Sequence, residues 1–140
     1  MTPSSKDTAP DPRGPHDPAL LDHRRRAFFN ERADAWLDLW YRDPETGELT
    51  RHAEAFERLL ALAGLQPGET VLDLGCGSGV LAPYLLERIG TRGRLWEVDY
   101  AERMIEANRR LHADRRITSL VCSAERLEAP PESFDAAFCF

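Results

Sequence analysis

The chain has 140 residues, which is enough for one small domain at most. Its 24 acidic residues outnumber its 18 basic ones, and the formal net charge of -6 argues against a broad basic surface for nucleic acid. No apolar run approaches the ~20 residues of a membrane span, and the N-terminus lacks the apolar core of a secretion signal. We therefore expect a cytoplasmic protein with no membrane span and no nucleic-acid partner.

Cysteine usage agrees with that setting. The three cysteines, Cys76, Cys122 and Cys139, are widely spaced and odd in number, which fits neither a disulfide framework nor a zinc site. Because they lie in apolar or glycine-rich surroundings, we expect them to be reduced packing residues and we predict no metal ion.

The N-terminal part of the chain divides into a tail and a helical segment. Residues 1–18 are rich in Pro, Ser, Asp and Thr, and they cannot bury enough surface to offset the entropy of ordering, so we expect a disordered tail. Apolar residues then keep helical spacing over residues 19–41, with a break near Asn30. Asp17 or Asp22 would start the first helix.

A further helix is predicted before the first strand. Thr50 is suited to its N-cap, and the apolar positions from Ala53 to Ala63 form one helical face. Gly64 is suited to the C′ position, and residues 65–69 form a tight connector that leads into the strand.

The most informative stretch is residues 71–80, Val-Leu-Asp-Leu-Gly-Cys-Gly-Ser-Gly-Val, where an apolar strand turns into a helix through three alternating glycines. Glycines permit positive φ and let a ligand approach the backbone. The spacing G-x-G-x-G departs from the G-x-G-x-x-G of dinucleotide loops, and no Lys-Ser/Thr pair follows, which excludes a phosphate-binding P-loop. Asp73 at the strand end would repel a pyrophosphate but suits a ligand that carries an ammonium group.

Alternating helices and strands follow this loop. An acidic residue, Asp99, ends the second strand about 20 residues beyond the last glycine, where a carboxylate can accept hydrogen bonds from ribose hydroxyls. The alternative is that Asp99 caps the next helix. The predicted elements are a helix over 81–89, a strand over 94–99, a helix over 102–113, a strand over 117–122 and a fourth strand that begins at Phe134.

These residues carry a family resemblance. Residues 71–79 resemble motif I of the class I S-adenosylmethionine (SAM)-dependent methyltransferases. Residues 25–36 are similar to the N-terminal segment of the small-molecule methyltransferases related to ubiquinone and menaquinone biosynthesis enzymes. Residues 99–104 resemble the family's Asp-x-Ser-x-x-Met run, whereas Ser123 stands where the family often has Asp. A serine hydroxyl can still accept a hydrogen bond from the adenine amino group, but without charge assistance.

The resemblance implies a fold, a cofactor and a site. The fold is an α/β, Rossmann-like doubly wound parallel sheet with strand order 3-2-1-4, of which only the N-terminal part is present and which N-terminal helices precede. The cofactor is SAM, the methyl acceptor is a small molecule, and no catalytic base is singled out. The residues implied to bind the cofactor are Asp73, Gly75, Cys76, Gly77, Ser78, Gly79, Asp99, Tyr100, Met104, Ser123 and Ala124, with Tyr100 and Met104 beside the adenine.

The resemblance also implies how the chain is divided. Residues 1–18 form the tail, residues 19–64 form helices that cover the SAM pocket as a lid or only pack the core, and residues 65–140 form a SAM-binding half-domain. A complete domain of this class has seven strands, and four are found here. We therefore expect a truncated reading frame, a pseudogene product or part of a longer protein, with weak or absent turnover and self-association through the exposed fourth strand.

Two other functions remain open from the sequence. A nicotinamide-dependent oxidoreductase shares the strand–helix–strand unit, although Asp73 and the glycine spacing argue against it. A non-catalytic adenosyl-binding or interaction fragment would pair its open strand with another chain.

Overall fold

The computed structural model describes residues 18–140 as a four-stranded parallel sheet covered by helices. The strand order β3-β2-β1-β4 confirms the predicted α/β fold and the predicted order 3-2-1-4. The helices are α1 (Pro18–Arg32), α2 (Trp36–Trp40), α3 (Ala53–Ala63), α4 (Ala82–Ile89) and α5 (Glu102–Leu111). The strands are β1 (Thr70–Leu74), β2 (Arg94–Asp99), β3 (Ile117–Val121) and β4 (Ala136–Phe138).

The N-terminal helices differ from the prediction in their bounds. The predicted tail lies outside the described residues except for Pro18, which is the first residue of α1, and Asp17 lies outside them as well. Asp22 lies inside α1 and does not start it. The break between α1 and α2 is a 3-10 turn at Ala33–Ala35, just beyond the predicted position at Asn30.

The ends of α3 show one wrong prediction and one confirmed prediction. Thr50 is not the N-cap, because the helix begins at Ala53 and His52 precedes it without a side-chain capping bond. The Thr50 carbonyl instead accepts the Ala53 N–H, so a turn leads into the helix. Gly64 does end the helix, in the left-handed conformation with φ of 64°, and its N–H bonds to the Leu60 carbonyl.

The main core lies between the sheet and the helices α3 and α4, because each of these elements is apolar on one face. The buried residues of this core are Phe56, Leu60, Val71, Leu81, Ala82, Leu85, Leu86, Ile89, Leu95 and Phe138.

Among residues 18–140, no helix has the length and apolar character needed to cross a membrane.

The helix α1 is attached differently. It has no buried residue of its own, and Phe29 near its end is only partly buried. Its connection to α5 is largely polar: the Arg103 N–H bonds to Asn30 Oδ1 at 3.0 Å, and Asp34 pairs with Arg103 and Arg110. A small apolar contact of Ala33 with Ala101 and Met104 anchors the turn that follows α1.

Candidate functional site

Two adjoining cavities lie along the edge of the sheet where the parallel strands end. The first encloses about 420 Å³ beside Asp73 on β1, and we call it the β1 cavity. The second encloses about 390 Å³ and reaches Ser123 after β3, and we call it the β3 cavity. Both volumes are typical of small-molecule sites. The residues common to both walls are Phe29, Gly75, Asp99 and Tyr100.

The glycine loop between β1 and α4 contributes Gly75 to the walls of both cavities, and Cys76 and Gly77 to the wall of the β1 cavity. Gly75, Gly77 and Gly79 all have positive φ, at 72°, 56° and 84°, which explains why glycine stands at alternate positions. A Cβ on Gly75 would meet no atom within 4 Å, so open space lies beside it. A Cβ on Gly79 would lie 2.5 Å from Asn108 Nδ2 and 2.7 Å from the His112 ring, so this glycine allows close packing on α5 instead.

The amide groups of the loop are already used within the fold. The N–H groups of Gly75 and Cys76 both donate to the Val98 carbonyl, at 2.7 and 3.1 Å. The Gly77 N–H donates to Asp99, and the Gly79 N–H donates to the Cys76 carbonyl. These four donors are therefore not directed toward an anion, in contrast to a phosphate-binding loop.

Asp99 links the glycine loop to α5. Its Oδ2 accepts the Gly77 N–H at 2.9 Å, and its Oδ1 accepts the Ala101 N–H at 2.8 Å. Burial raises the pKa of this carboxyl, while the backbone hydrogen bonds act in the opposite direction. Because each carboxylate oxygen has a further lone pair and Asp99 borders both cavities, the carboxylate can also accept hydrogen bonds from a ligand.

Asp73 supplies a second carboxylate, in the wall of the β1 cavity. The side chain is only 2% exposed, and burial raises its pKa well above the usual value, with further increases caused by Glu97 and Asp99. A ligand cation next to Asp73 would oppose this shift by favouring the ionised form.

Aromatic side chains from the N-terminal helices and from residue 140 close the β1 cavity. Phe29 and Trp36 meet edge to face with ring centroids 5.5 Å apart, and the Trp36 ring lies over Gly77. Tyr41 also faces this cavity, and burial together with the Asp73 charge raises its pKa. Phe140 completes the aromatic part of the wall.

The structure brings most of the predicted cofactor-binding residues to these walls. Met104 borders the β1 cavity but not the β3 cavity that contains Ser123 and Ala124, whereas Tyr100 borders both. Two predicted residues, Ser78 and Gly79, line neither cavity, and Ser78 is 1% exposed with its hydroxyl unpaired among the described residues. The predicted residues in the walls are Asp73, Gly75, Cys76, Gly77, Asp99, Tyr100, Met104, Ser123 and Ala124.

Sequence reasoning missed two features of the site. Tyr41 and Phe140 reach the β1 cavity from distant parts of the chain, and no local motif identifies them. Glu97 lies fully buried beside Asp73, with Asn108 of α5 bonded to it at 3.0 Å. An acidic residue two positions before Asp99 in a strand was the available signal, because such residues share a face of the sheet.

Comparison with known sequences gives one family. The profile of the methyltransferase domain matches residues 71–140, which are half of the chain. A ubiquinone/menaquinone biosynthesis C-methyltransferase of Paraburkholderia phymatum is 34% identical over 95 residues, covering 66% of this chain and 38% of that protein. The chain thus spans well under half the length of this curated relative.

Comparison with solved structures supports the fold. A SAM-dependent methyltransferase from Aquifex aeolicus gives a TM-score of 0.61 at 23% identity, over 79% of this chain and 55% of that one. A Haemonchus contortus phosphoethanolamine N-methyltransferase, solved with phosphoethanolamine and S-adenosylhomocysteine, gives a TM-score of 0.54 at 25% identity, over 84% of this chain and 25% of that one.

Proposed function

Since the chain belongs to the methyltransferase-domain family and has the Rossmann-like fold of class I SAM-dependent methyltransferases, we propose that its two cavities bind SAM and present its methyl group to a small-molecule acceptor. The observation that carries this proposal is the pair of carboxylates, Asp73 and Asp99, which line one cavity together with Gly75 and the open space beside it. One side chain suits an ammonium group and the other suits a ribose.

The order of the groups along the C-terminal ends of the strands suits the shape of SAM. The amino-acid part would lie in the β1 cavity, where Asp73 faces its ammonium group. The ribose would lie over β2, where Asp99 accepts from its hydroxyls, and the adenine would enter the β3 cavity beside Ser123 and the backbone of Ala124. Met104 would then contact the part of the ligand in the β1 cavity and not the adenine, because its side chain borders that cavity alone.

The remaining predicted binding residues serve in two ways. Gly75, Cys76 and Gly77 form the surface on which the ligand would lie, and Tyr100 would border it from the connection between β2 and α5. Gly79 would act from below, by letting the loop pack closely on α5, and Ser78 is buried next to it.

A nicotinamide cofactor is not favoured. The family and the structural neighbours are methyltransferases, and the four loop amides that a pyrophosphate would need already bond within the fold. A pyrophosphate would also meet the carboxylate of Asp73 in the cavity wall.

The acceptor we propose is a flat aromatic molecule of the quinol class. The curated relative described above is named for ubiquinone and menaquinone biosynthesis. The β1 cavity supports a similar acceptor because Phe29, Trp36, Tyr41 and Phe140 give it an aromatic wall next to the proposed position of the reactive end.

The contribution of the chain to the reaction would be positioning. SAM supplies an electrophilic methyl group on a sulfonium centre, and displacement at that carbon requires the acceptor atom to lie in line with it. The glycine loop and the two carboxylates would fix one reactant, while the aromatic wall would orient the other and exclude water. We assign no catalytic base.

The N-terminal helices would serve as a lid, because Phe29 and Trp36 border the β1 cavity from above the glycine loop.

The free edge of β4, which pairs only with β1 among the described strands, would pair with a further strand or a second copy of the chain. A concentration-dependent mass in sedimentation would support the second copy. The three free cysteines agree with a reducing, cytoplasmic setting.

The proposal is tested by titrating the purified chain with S-adenosylhomocysteine and, in parallel, with NADH. We expect saturable binding and a raised melting temperature with S-adenosylhomocysteine alone, because a ligand that binds only the folded state stabilises it. Binding of NADH without binding of S-adenosylhomocysteine would contradict the proposal. Transfer of labelled methyl from SAM to a panel of quinols and amines then tests the acceptor class.

A further inference from the structure

Beneath the glycine loop, three carboxyl groups lie close together in the interior. Asp73 on β1 is in register with Glu97 on β2, so their side chains leave the sheet on the same face. Asp99 lies two residues farther along β2 and shares that face. The exposed fractions are 2% for Asp73, 0% for Glu97 and 8% for Asp99.

Glu97 has only partial compensation for its burial. Its Oε2 accepts from Asn108 Nδ2 at 3.0 Å, and Asn108 Oδ1 in turn accepts from the Ser119 hydroxyl at 3.2 Å. Its Oε1 is buried and has no hydrogen-bond partner among the described residues. No Arg or Lys within residues 18–140 forms an ion pair with Glu97 or with its neighbour Asp73.

The other ionisable groups around Glu97 do not supply a positive charge. Cys76 of the glycine loop contacts it, and the buried thiol has a pKa raised by burial and by the carboxylates. Tyr41 lines the β1 cavity together with Asp73, and burial and the Asp73 charge raise the pKa of its phenol, which keeps it neutral. His112 of α5 packs against Gly79, and burial lowers its pKa, which favours the neutral ring.

Two adjacent buried carboxylates cannot both be ionised without a large cost, because nothing nearby screens their repulsion. Burial raises the pKa of Glu97 to about 7, and burial together with Glu97 raises the pKa of Asp73 well above its usual value. A proton held between the two groups would also give the unpaired Oε1 of Glu97 a hydrogen bond, as the donor when it carries the proton and as the acceptor when Asp73 does.

We propose that Glu97 is a positioning residue that shares one proton with Asp73, and that a cationic ligand at Asp73 displaces this proton to solvent. The proposal rests on the proposed function, in which Asp73 faces the ammonium group of SAM. The cation favours the ionised form of Asp73, so the pair binds fewer protons in the complex than in the free chain. Cofactor affinity would therefore increase with pH across the range in which the free pair still holds its proton.

The test is calorimetric titration with S-adenosylhomocysteine in buffers of different ionisation enthalpy, which gives the number of protons released per ligand bound. We expect release of about half to one proton at pH 6.5, and a dissociation constant that falls about three- to tenfold from pH 6 to pH 7. Glu97→Gln should keep binding but reduce the release by at least half. Glu87→Gln removes an exposed carboxylate from α4 and should behave as the parent chain does.

Each outcome is decisive. Binding without proton release, or equal release from the parent chain and Glu97→Gln, would overturn the shared proton and leave the proposed function standing. If S-adenosylhomocysteine does not bind, the proposed function fails, and infrared spectroscopy of the free chain decides the inference. A band from a protonated carboxyl group at pH 6.5 that is lost in the double variant Asp73→Asn/Glu97→Gln would support sharing, and its absence from the parent chain would refute it.

Discussion

Replacement of Gly79 by alanine should cost more stability than the same replacement at Gly75. Both glycines have positive φ, so alanine at either position incurs about 1–2 kcal/mol of backbone strain. The two sites differ in the space around the new methyl group. At Gly79 the Cβ would lie 2.5 Å from Asn108 and 2.7 Å from His112, whereas at Gly75 no atom lies within 4 Å.

The overlap at Gly79 forces the buried Asn108 or the neighbouring helix to move, which typically adds about 1–3 kcal/mol. We therefore expect Gly79→Ala to lose about 2–5 kcal/mol of unfolding free energy and Gly75→Ala to lose about 1–2 kcal/mol. The effect on ligand binding should be the reverse, because the methyl group of Gly75→Ala enters the space between the two cavities. We expect its affinity for S-adenosylhomocysteine to fall at least tenfold.

Urea denaturation of both variants gives the unfolding free energies. Calorimetry without urea, at a low temperature at which both variants are folded, gives the affinities. Equal losses of stability would refute the close packing of Gly79 on α5. Unchanged affinity in Gly75→Ala would show that the open space beside this glycine is not where the ligand binds.

Three further changes test other contacts. Asp99→Ala should weaken S-adenosylhomocysteine binding by about 1.5–3 kcal/mol. It should also lower the stability of the chain, because the Gly77 N–H loses its acceptor. Unchanged affinity in calorimetry would show that Asp99 does not bind the ligand. Arg116→Ala should lower the free energy of unfolding by about 1–3 kcal/mol in urea denaturation, because it removes donors to two carbonyls at the end of α4. The control Arg115→Ala removes an exposed side chain and should change this free energy by no more than about 0.5 kcal/mol. Similar losses in both variants would contradict the role of Arg116. The pKa of Glu97 is raised to about 7 in the folded chain, so the folded chain binds more protons than the unfolded chain between pH 4.5 and 7. The free energy of unfolding should therefore fall by up to about 3 kcal/mol as the pH rises through this window. Glu97→Gln should flatten that part of the stability profile, and an equally steep profile in the variant would argue against a titrating Glu97.

The central part of the fold could be predicted because its local signals agree with one another. The apolar run before Gly75 and the helical spacing after Val80 leave a sharp turn as the only connection, and the structure has that turn. Gly64 was predictable as a helix end for a similar reason, since few other residues adopt the left-handed conformation. Thr50 shows the limit: a good capping residue lay near the helix, but the chain formed another turn before Ala53.

The burial of Glu97 could not be predicted from alternation alone. Alternating apolar and polar residues in β2 indicate a strand, but they do not identify the face that the helices cover. In the structure the face that the helices cover carries Leu95, Glu97 and Asp99, while on the opposite face Val98 is buried and Trp96 is only half-buried. The packing of α5 decides this, because Asn108 offers Glu97 a hydrogen bond inside the core. Tyr41 and Phe140 were missed for a related reason: only the tertiary fold brings them to the β1 cavity.

The way in which α1 is attached bears on how fast a ligand could enter and leave. The helix buries none of its residues, and the turn at its end is held by the small apolar contact of Ala33 and by exposed ion pairs of Asp34 with Arg103 and Arg110. Such pairs contribute little each and are screened by salt. Detachment of the helix should therefore become more frequent as ionic strength rises, while the glycine loop in the cavity walls is unaffected. Salt would then shorten the residence time of a bound molecule and speed its entry, with a much smaller change in its equilibrium affinity.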